Sequence, residues 1–251
     1  MTGLAALTER MLRSTLRDDL PLAVLAPVGT FVVFNIALRN VIDTGDMSYA
    51  QYILPAIVIQ AMFLGALTTV DRAVQDQQTE FGVRLRTLPV PVAVPLVARM
   101  SYCLLRGVLS LLAAIAVGYV FGFRIMGGFG YAAAFVVLAL TFTLALSLAA
   151  DASGSKAGRG EFGSGQASSQ LFLVPQMLLV MLSTGLAPAD SFPDWLHSFV
   201  RYQPVSQVTD TLRGLTTGHV EGATLASSVA WCLGMLLVFG GIALRMQRRT
   251  E

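Results

Sequence analysis

Apolar, uncharged runs of membrane-crossing length alternate with short polar segments along almost the whole chain. Five such runs, over about 20–38, 50–70, 103–123, 128–150 and 223–244, approach the roughly 20 residues an α-helix needs to cross about 30 Å of hydrocarbon. A sixth, over 171–188, is the shortest, and reaches spanning length only by taking in Ala187 and Pro188 at its end. The pattern predicts an all-α integral membrane protein with six transmembrane helices in a single domain over 1–251. Ahead of the first run, Leu4, Leu7, Met11, Leu12 and Leu16 fall on one helical face and Glu9, Arg10, Arg13 and Arg17 on the other. That is the pattern of an interfacial helix over 1–19, lying along the membrane. A signal peptide is the alternative, but no small-residue cleavage site follows the apolar run that begins at Leu20.

Before the last run the pattern changes. Phe192, Trp195, Leu196, Phe199 and Val200 interleave with Asp190, Asp194, Arg201 and Arg213, which predicts an amphipathic helical segment at a membrane surface. Trp195 and Tyr202 suit the headgroup zone, where a ring buries its body and wets its polar edge. A re-entrant path for this segment is the alternative, and it requires protein or water to cover the exposed backbone. Basic residues set the orientation. Thirteen lie in the two termini and in the connections 71–101 and 151–170, with the short Arg106 flank, against four (Arg39, Arg124, Arg201 and Arg213) on the other side. Positive flanks resist translocation, so both termini are expected in the cytoplasm and the amphipathic segment outside.

Composition agrees, with 55% hydrophobic and 13% charged residues and a mean hydropathy of +0.67. A net charge of +2, scattered through loops and tails, gives no nucleic-acid footprint. Cys103 and Cys232 sit in apolar runs without metal-ligand spacing and read as free packed thiols; His197 and His219 read as solvated. No cluster of acids, nucleophiles or metal ligands suggests an enzyme. Asp18 and Asp19 stop one run, and Asp71 and Asp76 follow another at helical spacing. The run interiors hold no charge for ion coupling; Arg106, the nearest, lies where its stem snorkels. Asn35, Gln51, Gln60 and Gln176 read as hydrogen bonds between helices, with contact to a ligand the alternative. Gly118 and Gly122 form GxxxG, a weak signal for close helix approach, while Pro27, Pro55 and Pro175 lie within runs and either kink them or relieve packing strain. The lone lysine, Lys156, does not complete a phosphate-binding loop, so any ATP hydrolysis must come from another polypeptide.

The connection after the second run carries Asp71-Arg72, then Glu80-Phe81-Gly82-Val83-Arg84-Leu85-Arg86-Thr87-Leu88-Pro89-Val90-Pro91, and ends Leu96-Val97-Ala98-Arg99. The third run ends Gly122-Phe123-Arg124. The outer stretch reads Ser183-Thr184-Gly185-Leu186-Ala187-Pro188, Phe192-Pro193-Asp194-Trp195-Leu196, Gln203-Pro204-Val205-Ser206 and Leu212-Arg213-Gly214. In this order, over nearly the whole chain, these pieces resemble the membrane subunits of type-2 ABC exporters, especially the daunorubicin-resistance group that includes mycobacterial lipid-export permeases. One departure is the connection 151–170, whose Gly/Ser-rich middle looks longer and more flexible than the group's pattern.

The resemblance implies a plasma-membrane permease subunit moving a hydrophobic drug or lipid outward, powered by cytoplasmic ATP-binding ABC subunits and paired with a second permease, a paralogue or another copy. It implies no cofactor in this chain, with ATP and Mg on the partner subunit. Asp71, Glu80, Phe81, Gly82, Arg84 and Arg86 would form the coupling element docking on that subunit, the plain alternative being a solvated cytoplasmic face. Gly185, Pro188, Pro193, Trp195, Pro204 and Arg213 mark the outer segment. The rival expectations are a permease for a polysaccharide or peptide, and a membrane-embedded lipid-modifying enzyme.

Overall fold

A computed structural model of the chain describes residues 19–39, 47–78, 93–158, 165–186 and 192–248. The expected interfacial helix over 1–19 therefore lies outside the described residues, save for Asp19. Among them run eight helices: α1 Asp19–Leu38, α2 Tyr49–Gln78, α3 Ala93–Val120, α4 Phe129–Gly158, α5 Gly165–Met181, α6 Asp194–Tyr202, α7 Pro204–Thr217 and α8 Gly222–Arg248. Four contain a stretch long and apolar enough to cross a membrane: Tyr49–Val74, Leu96–Val120, Phe129–Ser155 and Gly222–Arg245. A shorter apolar helix covers Pro21–Ala37.

The α2 helix is the axis of the bundle and touches α1, α3, α4, α5 and α7. Its Ile53, Leu54, Ile57, Val58 and Met62 are almost fully buried, packed with Phe31 of α1, Leu111 and Ala114 of α3, Phe135 and Phe142 of α4, and Val205, Val208 and Leu212 of α7. Phe63 and Phe142 meet edge to face at 6.0 Å, a favoured geometry for paired rings. Small residues let backbones close on each other. At Gly154 of α4 a Cβ would stand 2.7 Å from the carbonyl oxygen of Val70 and 2.9 Å from the Cβ of Ala73, so α2 and α4 touch backbone to backbone there.

That contact explains two departures from the expected boundaries. The chain over 71–78 and 151–158 is helical, because α2 and α4 go on packing past their apolar runs. Of the expected connection 71–101, residues 71–78 and 93–101 are helical, since α3 also begins early, at Ala93, and the expected flexible connection 151–170 is helical at both ends. At the other end of α3 the helix stops at Val120, short of Phe123. Gly122 adopts φ +95°, with its N–H bonded to the Tyr119 carbonyl at 3.4 Å and the Phe123 N–H to that of Gly118 at 2.9 Å. This paired left-handed stop satisfies terminal carbonyls and is why a glycine stands at 122. The GxxxG expectation is thus half right: Gly118 faces Leu54 of α2, whereas Gly122 ends its helix. The run expected over 171–188 is shifted: its helix starts at Gly165 and ends at Met181, where residues 182–186 turn.

The amphipathic segment forms two helices of different character. In α6, Val200 is buried while Trp195, Phe199 and Tyr202 are exposed. In α7, by contrast, Val205, Ser206, Val208, Thr209, Thr211, Leu212 and Thr216 are all buried, as the helix packs between α2, α4 and α8. Burial of so many hydroxyls is tolerated because the helix bonds them itself. Thr209 donates to the Val205 carbonyl at 2.7 Å, Thr211 to that of Gln207 at 2.9 Å and Thr216 to that of Arg213 at 2.7 Å. Gly218, at φ +79°, ends α7 and packs on Gly127 of the α3–α4 loop, whose Met126 N–H bonds the Thr216 carbonyl at 2.9 Å.

Candidate functional site

Polar side chains gather at the two ends of this bundle. At the end where α1 begins, Arg72 of α2 donates to the Asp19 carboxylate at 2.5 Å and lies over the Tyr102 ring of α3, 3.9 Å from its centroid. The Tyr102 hydroxyl donates to the same Asp19 oxygen at 3.3 Å, so one carboxylate in the first turn of α1 ties three helices. Its place at a helix N-terminus also favours a negative charge. Deeper in, Arg99 of α3 donates to Asp151 of α4 at 2.6 Å, both side chains buried, and Arg106 donates to the Thr68 hydroxyl of α2. Arg99 and Asp151 lie just beyond the expected runs 103–123 and 128–150, where their helices continue past the apolar stretches. Arg106, expected to snorkel outward, is 4% exposed and turned toward α2. Cys103 and Cys232 are free and buried, as expected, and Cys103 lies 3.0 Å from the Thr69 hydroxyl.

The opposite end, where α2 begins, holds a second node centred on Arg213. Its guanidinium lies 4.0 Å from the centroid of the Tyr52 ring, on α2. It donates to Asp210 at 2.9 Å and reaches the carbonyls of Tyr52 at 3.4 Å and of Thr184 at 3.3 Å. Thr184 belongs to the turn after α5. Its hydroxyl donates to Asp210 at 3.0 Å, its N–H to the Ser206 hydroxyl at 3.1 Å, and its carbonyl accepts from the Tyr52 hydroxyl at 3.3 Å. Gln203, at the N-cap of α7, donates to the Leu182 carbonyl and to Ser206. Arg213 is therefore the meeting point of α2, the turn after α5, and α7. Burial pushes the Asp210 carboxyl above the usual carboxylate range, while Arg213 and the Thr184 hydroxyl pull it back. Nearby, Gln51 exchanges hydrogen bonds with the backbone of Arg124, at 2.7 and 3.1 Å, fastening the α3–α4 loop to α2.

The residues expected of the outer segment divide. Gly185 and Arg213 belong to this node: Gly185 is buried, and a Cβ there would stand 3.0 Å from that of Ala56 and 3.5 Å from Thr209. Pro204 opens α7 at its first turn, where its missing N–H leaves nothing unbonded. Pro193 caps α6 and Trp195 is 79% exposed, so both lie apart from the node. Pro188 lies outside the described residues. So do Glu80, Phe81, Gly82, Arg84 and Arg86, while Asp71 is exposed on α2 beside Arg72. Sequence reasoning missed Tyr52 and Asp210. The available signal was a tyrosine in an otherwise apolar run and an acid at i−3 from an arginine.

Chemically, both nodes hold helices in register. Among the described residues no group of three or more His, Cys, Asp or Glu is placed to hold a metal ion. Comparison with known proteins agrees with a role in transport. The chain matches the family described as ABC-2 family transporter protein over residues 9–245. It is 25% identical, over 92% of this chain and 83% of the relative, to the probable doxorubicin resistance ABC transporter permease protein DrrC of Mycobacterium tuberculosis. It is 29% identical to that organism's doxorubicin resistance ABC transporter permease protein DrrB, over 84% of this chain and 75% of the relative. A daunorubicin resistance ABC transporter permease protein, DrrB1 of Streptomyces coeruleorubidus, is 26% identical over 91% and 79%. Permease subunits of this kind leave ATP hydrolysis to a separate subunit. The chain belongs to the ABC-2 family of transporter proteins, as a membrane permease subunit.

Proposed function

We propose that the chain crosses the plasma membrane six times, with both termini in the cytoplasm, and forms half of an export pathway for a hydrophobic drug or lipid. The observation that carries this reading is the family match, which extends from residue 9 to residue 245. α1 and α5 supply the two spans beyond the four longest apolar helices, and the 13-to-4 bias of basic residues supports the orientation. The relatives are named for resistance to doxorubicin and daunorubicin, and the apolar middles of the spans suit the hydrophobic part of a drug or lipid cargo. A second permease, paralogue or copy, completes the pathway. Two ATP-binding subunits drive it between inward-facing and outward-facing states.

The coupling residues in this reading are Asp71 on α2 and Glu80, Phe81, Gly82, Arg84 and Arg86 in the following segment 79–92, which together meet the ATP-binding subunit. The outer segment, α6 and α7, covers the far end of the pathway and dips into the bundle through α7. The test has two arms. Purified from its native membrane in mild detergent, the chain should bring with it an ATP-binding subunit, and cells carrying both should retain less doxorubicin than cells without them. Recovery of the chain with no ATPase bound would overturn the reading. Recovery of the complex with unchanged doxorubicin but altered lipid export would keep the permease and reassign its cargo.

A further inference from the structure

Among the described residues, the buried polar side-chain atoms that no other group of the chain bonds are Tyr49 Oη, Arg106 Nε, Gln203 Oε1 and Arg213 Nε. Three of these four lie at the Arg213 end: in the first turn of α2, at the N-cap of α7, and on Arg213 itself. A buried donor or acceptor left unbonded destabilises the packed state, because water would have bonded it. Yet the same end is where charge-assisted bonds hold the elements together, through Arg213 with Asp210, Tyr52 and Thr184. Strong attachment and unmet bonding capacity thus occur in one place. The attachments favour the packed arrangement, and the unmet groups favour one that admits water. Such opposition keeps two arrangements close in free energy, so that a modest differential input moves the balance.

We infer that the Arg213 node is a releasable latch: it holds the turn after α5, and α7 with it, against α2 in the resting state, and it opens to water when nucleotide binds the partner subunit. The inference rests on the reading of the chain as an ATP-driven permease. Gly185 supplies the means to observe the latch. Its position stands directly over Ala56 of α2, itself 7% exposed, so Ala56 is covered while the latch is shut and uncovered when it opens.

The test uses the permease purified with its ATP-binding subunit in lipid nanodiscs, in a Cys103→Ala/Cys232→Ala background. In Ala56→Cys the new thiol should react slowly with a small maleimide without nucleotide, and about tenfold faster with a non-hydrolysable ATP analogue. Adding Arg213→Gln should raise the nucleotide-free rate by about tenfold or more, the population shift expected from losing charge-assisted bonds. Equal rates under all three conditions overturn the latch. A second variant locks it: in Ala56→Cys/Gly185→Cys the two Cβ positions stand 3.0 Å apart, and a parting of about half an ångström brings them to the range of a disulfide. Oxidation should stop doxorubicin efflux while the ATP-binding subunit stays bound, and a reductant should restore efflux. Full efflux with the bridge formed overturns the latch. A chain that recovers no ATP-binding subunit overturns the functional reading instead, so the two failures are distinguishable.

Discussion

α2 and α8 are equally apolar, with the same mean hydropathy over their most apolar stretches, yet 72% of that stretch is buried within the chain in α2 and only 11% in α8. Apolarity tells that a helix suits lipid; it does not tell whether the helix meets lipid or protein, since tails and side chains are equally oily. The difference lies in small and polar positions. α2 buries Ala56, Ala66, Thr69 and Ala73, the last three on one face, and has other helices on nearly every side. α8 offers a narrow stripe, Ser228, Cys232 and Ala243, to α4 and α7, and leaves Leu233, Leu237 and Val238 exposed.

Substitutions at matched positions break the comparison. The largest effect is expected at the α2–α4 seam. Gly154→Val drives a side chain into the Val70 carbonyl and the Ala73 Cβ, atoms that move only with their helices, and should destabilise by about 3 kcal/mol or more. Size-exclusion profiles in mild detergent check this: the variant should lose its monodisperse peak. Next comes the direct pair. Ile57→Ala removes a core side chain of α2 and should cost about 2 kcal/mol, while Leu237→Ala on the exposed face of α8 should stay within about 0.5 kcal/mol. Thermal unfolding of the two in one detergent gives the difference. Equal losses would mean that α8 is covered in the assembly by another chain. The smallest separable effect is on α8's own stripe. Ser228 bonds the Gln207 carbonyl and the Thr211 hydroxyl, both at 2.7 Å, and Ser228→Ala should cost about 0.6–1 kcal/mol, a typical interhelical bond in lipid.

The apolar runs were legible because a span's length is a local property of sequence. The ends of the helices were not, because they depend on partners distant in sequence. The charges Arg72, Arg99 and Asp151 look like the end of a membrane helix when read locally. In the fold each charge meets its counterpart on another helix, 52 residues away for Arg99 and Asp151, so the helices continue past them. The same limit applied to glycine. Gly118 and Gly122 carry one spacing and two unrelated duties, and only the backbone at φ +95° separates them. In the outer segment, Gly185, Pro204 and Arg213 could be singled out by their order along the chain. That Arg213 rests on Tyr52, 161 residues before it, could not.

The hydroxyls of α7 carry a consequence of their own. By composition the helix is polar, but Thr209, Thr211 and Thr216 each hold a carbonyl of the preceding turn. Such a helix brings its hydrogen-bond partners along wherever it moves. With its hydroxyl bonded back, Thr209 turns its methyl group toward Gly185, so the helix packs there as an aliphatic one would. Change of neighbour is nearly free for Thr209 and Thr216, while Thr211 also meets Ser228 of α8 at 2.7 Å. What fixes α7 in place is its apolar packing at Val205, Val208 and Leu212 together with bonds at Gln203, Ser206, Gln207, Asp210, Thr211 and Arg213, so Thr209 and Thr216 are positions that tolerate water without loosening the helix.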